Sequence, residues 1–218
     1  MRRRGFVAAI AMTGAALAAC GARPVRALER ESDEAMAREL TQGQRAVYEF
    51  DPVAHLAASQ RLAIDLAVDR EDRVYRIGDR LRLALRCEQD GYVTVFDVGT
   101  SGQATMIFPN HFQRSNRVYA GQAITIPSGS ARFVINVGGP PGVDVIKVIA
   151  TRQPLSLREQ RQIAALTEQS PFAAGRPAQA VLRDLQVAAA PAAGIAGRAP
   201  PPNSWGTARM LVRVQAQA

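Results

Sequence analysis

Chemistry needs reactive groups at workable spacing, and the first stretch to offer one is "GYVTVFDVGTSGQATMIFPN", residues 91–110. A serine nucleophile on a strand-to-helix elbow needs G-x-S-x-G. Here the glycine after Ser101 comes one residue early, and "ATMIF", a strand pattern, follows. Ser101 would also have to recruit His55 or His111, the only histidines, and neither sits beside an orienting acid in a motif. The glycines instead suit a hairpin loop that needs positive φ, which makes Ser101 a turn residue. No catalytic residue is assigned, and the chain is expected not to be an enzyme. The alternative is an envelope hydrolase or carbohydrate-binding protein, and the hydrolase would need a cleft gathering carboxylates such as Asp90, Asp97 and Asp144.

Other reactive groups give less. The loop "GGPPG", 138–142, has two prolines where a phosphate cradle needs N–H donors, and no Lys-Ser/Thr follows. His55, His111 and Cys87 lack ligand spacing, and Asp65, Asp69 and Asp72 depart from the calcium-loop pattern, so no metal and no cofactor is expected. Cys87 shares the parity of Leu81, Leu83 and Leu85 and reads as a small core residue. The richest loop is "FPNHFQRSN". Its Phe108, Asn110, His111, Phe112, Arg114 and Asn116 bring aromatic, amide, imidazole and guanidinium groups together, a composition able to stack on and hydrogen-bond a sugar or a peptide. The competing structural reading has Pro109 ending a strand, Asn110 capping a turn and the phenylalanines filling the core.

The N-terminus predicts an address. "MRRR" is a positive n-region, "GFVAAIAMTGAALAA" is too short to span a bilayer comfortably, and small residues precede Cys20. The ending "LAAC" resembles the lipobox of bacterial lipoproteins. That resemblance implies diacylglyceryl transfer to the Cys20 thiol and cleavage before it, leaving a lipid anchor in the membrane. Gly21 after the cysteine implies, by the same resemblance, sorting to the periplasmic face of the outer membrane. Loss of residues 1–19 would remove Arg2, Arg3 and Arg4 from a net charge of +8. The remaining arginines are scattered among acids, without a basic block interleaved with aromatics, and nucleic acid is not expected as a partner. Expected partners are the membrane, through Cys20, and an envelope protein or cell-wall polymer.

Periodicity supplies the elements that would hold these groups. Residues 20–55 are charged and Ala-rich and read as a tether with one helical stretch. From Leu62 the period becomes two, in "LAIDLAV", "DRLRLALRC", "GYVTVFDV", "QATMIFP", "QAITIP", "ARFVINV" and "VDVIKVIAT". Short strands punctuated by Gly and Pro predict an antiparallel β-sandwich, immunoglobulin-like or related, over 56–155. Several runs are apolar on both parities and predict strands covered on both faces. Over 156–218 the pattern predicts a helix at "SLREQRQIAALTEQ" with Ser156 and Glu159 as a capping box, a weaker one at "AQAVLRDLQV", an Ala/Pro/Gly connector, and a closing strand at "ARMLVRVQ".

The elements Tyr75, Gly78 and Asp79, then Asp90, Gly91, Tyr92 and Gly102, then Phe108, Pro109 and Asn110, then Pro141 and Gly142 together resemble the bacterial family of unknown function numbered 4384. The likeness runs from Leu62 to Leu155. It implies an exported or envelope β domain, often appended to other modules, and no established reaction. The whole reads as a lipid-anchored cell-envelope protein with a non-catalytic β domain serving as an interaction and assembly module.

Overall fold

The computed structural model describes residues 25–54, 56, 61–155, 157–189 and 204–217. Cys20, the segment before it that is expected as a signal peptide, His55, Ser156 and the expected connector over 190–203 lie outside the described residues. The chain runs α1 (Val25–Arg38), α2 (Gln42–Glu49), β1 (Ile64–Val68), β2 (Val74–Arg76), β3 (Arg80–Leu81), β4 (Leu83–Cys87), β5 (Gly91–Val98), β6 (Gln103–Phe108), β7 (Arg117–Val118), β8 (Ala123–Ile126), β9 (Ile135–Asn136), β10 (Gly142–Thr151), α3 (Arg158–Gln162), β11 (Arg176–Pro177), α4 (Ala178–Ala189) and β12 (Trp205–Gln215).

The fold is mainly β, and its strands form stacked sheets rather than a barrel. The large sheet has the order β11-β6-β5-β10-β12-β2, with β7 also on β5; β1-β4-β8 form a second sheet and β3-β9 a two-stranded ribbon. Among the described strands all pairings are antiparallel except β12 with β2, which makes the large sheet mixed; an isolated bridge from Arg61 to Trp205 is also parallel. Residues of β5 and β10 are buried with almost no polar alternation, as strands covered on both faces must be. One face carries Val93, Val95, Ile146, Val148 and Val214 against Leu83, Leu85, Cys87 and Ile126 of the small sheet. The other carries Phe96, Val98, Val145, Ile149 and Leu211 against Val47, Val181 and Leu185 of the helices. The result is three layers: small sheet, large sheet, helices. A bulge in β6 pairs Val95 with Phe108 but Phe96 with Met106, so Ile107 has no partner on β5 and joins Phe108 in the core between the sheets.

The segment expected as a tether is therefore structural over its described part, because α1 and α2 lie on the large sheet and bury Met36, Leu40 and Val47. Two polar side chains fasten them. Gln44 closes a capping box with Thr41 at the start of α2, and its Nε2 donates to Val98 O at 3.1 Å and Val143 O at 2.6 Å, tying the helix to the ends of β5 and β10. At the other end of α2, Lys147 reaches from β10 and donates through Nζ to Phe50 O at 2.5 Å and Tyr48 O at 3.4 Å. A cation on the last carbonyls of a helix also meets the negative end of its dipole. Arg209 adds a third donor, to Tyr48 O at 2.9 Å, while its guanidinium covers the Tyr48 ring.

The C-terminal expectations are met in part. The closing strand is β12, and the "AQAVLRDLQV" pattern is α4. The pattern after Ser156 yields only one turn of helix, α3, and a short 3-10 turn. Glu159, the expected capping-box partner, is buried and binds Arg176, which also binds Asp184 at the side of α4.

Candidate functional site

Gly99 to Gly102 close a tight turn between β5 and β6, with Gly102 N donating to Gly99 O at 2.9 Å and Gly99 N to Gln103 O at 3.1 Å. Gly102 has φ of +77°, a conformation that glycine adopts without a steric penalty. Ser101 is an exposed turn residue whose Oγ accepts from Gln103 N. His111 lies elsewhere, its Nδ1 paired with Leu166 O at 2.7 Å.

The loop over 108–116 is built from the inside. Asn110 is fully buried; its Nδ2 donates to Ile107 O, and its Oδ1 accepts from Phe112 N and Gln113 N, each at 2.9 Å. Phe108 is in the core. The Asn116 carbonyl accepts from Val93 N. Arg114 donates through Nε to His111 O at 3.1 Å and is exposed. Phe112 points to a second use, because it stacks on Phe133, with centroids 4.9 Å apart and planes 8° from parallel, and Phe133 meets Phe172 edge-on.

Phe133 forms part of a groove of about 360 Å³, the size of a small-ligand site. The groove lies between the small sheet and the β3-β9 ribbon, roofed by the loop after β8 and lined among others by Asp69, Arg80, Arg82, Ser128 and Val134. Arg80 and Arg82 alternate with the inward Leu81 and Leu83, so both guanidiniums leave the same side of an extended run. Neither makes a hydrogen bond or ion pair among the described residues, whereas Arg70, Arg73, Arg176 and Arg213 are all paired with carboxylates. Asp69 Oδ1 is fixed by Tyr75 OH at 2.7 Å and Arg82 N at 3.0 Å. That carboxylate, with burial as the first cause, pushes the Tyr75 hydroxyl well above its ordinary pKa.

The three aspartates considered for a cleft do not all meet. Asp90 is exposed at the start of β5, accepting from Ala120 N. Asp97 and Asp144 line one small cavity of about 30 Å³ with Ile107, Ile146, Val212 and Val214, on the face between the sheets. Burial raises the Asp97 carboxyl to about 8, with the neighbouring Asp144 adding to it. Asp144 rises to about 6 through burial, opposed by hydrogen bonds from Thr100 N and Oγ1. Two carboxyls with separated pKa values are the usual arrangement of an acid and a base. This cavity, however, has room for a water molecule or two and not for a sugar ring.

Among the described residues no group of three or more His, Cys, Asp or Glu side chains gathers as a metal site, and no helix is long and apolar enough to cross a membrane. Cys87 is buried without a disulfide partner, and its thiol is pushed up to about 11, chiefly by burial. The groove was illegible as a site in the sequence because its two walls are some fifty residues apart and meet through the β3-β9 and β4-β8 pairings. The one signal was the Arg-Leu-Arg-Leu alternation over 80–83. No curated protein and no solved structure matches the chain. Residues 74–154, from β2 through β10, match the family described as Domain of unknown function (DUF4384).

Proposed function

We propose that the chain is a lipid-anchored cell-envelope protein, held on the periplasmic face of the outer membrane through Cys20, whose β domain is a non-catalytic interaction module. The observation that carries the binding role is the groove of about 360 Å³, large enough for a ligand and lined by two unspent guanidiniums, a fixed carboxylate and an apolar wall. Its partner is an envelope protein or a cell-wall polymer. The lipobox-like "LAAC" supports the anchor. Affinity purification of the tagged chain from its own envelope in mild detergent, with Cys20→Ala in parallel and mass spectrometry as the readout, tests both parts. A partner retained by wild type and lost with Cys20→Ala is the expected result. A Cys20→Ala chain that stays in the membrane fraction would remove the anchor from this reading.

A second reading, an envelope hydrolase, has one observation in its favour, the pairing of Asp97 with Asp144 in a common cavity. It predicts glycan or ester hydrolysis that Asp97→Asn abolishes. The cavity volume argues for the binding module instead.

A further inference from the structure

The binding reading leaves the ligand's chemistry open, and the groove narrows it. Its side walls carry two arginines and one aspartate, a formal charge of +1. Charge complementarity therefore selects an anion bearing a single negative charge. Arg80 and Arg82 project from one strand face about 7 Å apart at Cα, and each offers the planar fork that fits a carboxylate with two parallel hydrogen bonds. Both are exposed and unpaired among the described residues, so a ligand has no internal ion pair to break.

The remaining surface favours a particular carrier for that anion. Asp69 spends Oδ1 on Tyr75 and Arg82 N, and its Oδ2 makes no hydrogen bond among the described residues. A fixed carboxylate oxygen lining the same groove as two guanidiniums would repel a second negative charge and accept from a hydroxyl. The half-buried Ser128 offers a further hydroxyl. Phe133 gives an apolar wall, stacked on Phe112 and meeting Phe172 edge-on. One carboxylate, several hydroxyls and an apolar C–H face describe a sugar acid.

We propose that the groove at Arg80, Arg82, Asp69 and Phe133 binds an acidic sugar, a residue with one carboxylate on its ring. In this arrangement the carboxylate sits on the two guanidiniums, ring hydroxyls donate to Asp69 Oδ2, and a C–H face lies along Phe133. The proposal rests on the binding reading above and adds the ligand class to it.

The test is calorimetric titration of the full chain, purified in detergent, with D-glucuronate, alongside neutral glucose, acetate and inorganic phosphate. The expected result is saturable binding of glucuronate, with glucose and acetate each weaker by about tenfold or more. The paired change Arg80→Gln with Arg82→Gln should weaken glucuronate by about tenfold or more while leaving the melting temperature in place, since neither side chain holds the fold. Arg158→Gln, an exposed arginine on α3, should leave glucuronate binding unchanged. Absence of glucuronate binding overturns the proposal, as does binding that survives the double substitution. Acetate or phosphate binding as tightly as glucuronate overturns it too, by reducing the groove to a general anion site. An envelope partner that co-purifies while glucuronate fails to bind discards the sugar acid and keeps the interaction module.

Discussion

Asp97 and Asp144 stand on adjacent antiparallel strands with their carboxyls on the same face. Asp97 pairs in register with Ile146, two residues along β10 from Asp144, and all three line the cavity between the sheets. Two acids so placed cannot both ionise cheaply. The structure relieves Asp144 with two Thr100 donors and leaves Asp97 to carry the proton.

A pH dependence of stability follows. Both carboxyls are raised in the folded chain, to about 8 for Asp97 and about 6 for Asp144, against roughly 3.9 when unfolded. The folded state thus holds more protons than the unfolded state over that window, and the stability they contribute is complete at low pH and lost as pH rises toward 8. Asp97→Asn should flatten this part of the profile. At pH 8.5 its melting temperature should exceed that of wild type by on the order of 2–4 °C. A variant that melts below wild type at pH 8.5 would show that Asp97 is stabilised as an anion.

Lys147 is the sole lysine, and it is 1% exposed. Burial first, and then Arg209, lower its amine to about 8, so above that pH the neutral, nucleophilic form is plentiful. Access alone protects it. An amine-reactive ester at pH 8.5 should leave Lys147 unmodified in the folded chain and label it in denaturant, as peptide mass spectrometry would show. Lys147→Met removes the Nζ donor of Tyr48 O and Phe50 O and should cost about 1–3 kcal/mol, read by chemical denaturation.

Asn110→Ala leaves Ile107 O, Phe112 N and Gln113 N without their shared partner inside a buried turn. A loss of about 1–3 kcal/mol is expected. Arg114→Gln, four residues along the same loop and exposed, should change the melting temperature little. Equal stability of Asn110→Ala and wild type would move Asn110 from the turn's framework to its surface chemistry.

Cys87 is buried and its thiol stands near 11, so little thiolate forms at neutral pH. A thiol reagent at pH 7.5 should fail to modify it until the chain unfolds. Rapid labelling of the native chain would mean that the layer formed by β4 and β8 opens readily.

Much of this architecture was legible in the residues. The parity of Leu81, Leu83, Leu85 and Cys87 placed β4 correctly, and the doubly apolar runs of β5 and β10 announced a cover on each side. The identity of the second cover was hidden. The α1 and α2 segment carries few large apolar residues, and its attachment depends on Gln44 and Lys147 reaching backbone carbonyls, contacts that leave no periodic trace. Asp97 and Asp144 were visible as acids but not as a pair, since 47 positions of chain separate them and only the β5-β10 register joins them. The 108–116 loop is rich in ligand-type side chains, yet Asn110 and Phe108 face inward, and Phe112 stacks on Phe133.

The place of β12 bears on what constitutes a self-sufficient unit. It pairs with ten consecutive residues of β10 on one side and, among the described residues, is the only strand paired with β2 on the other. Residues 74–154 begin with β2 and end just beyond β10, so the stretch shared with the family omits the strand that joins its own two ends. Excised by itself, that stretch would present the β10 edge as an open template for any extended peptide and leave β2 with no ladder to join. In this protein the segment is completed in cis, by a strand that arrives more than fifty residues later.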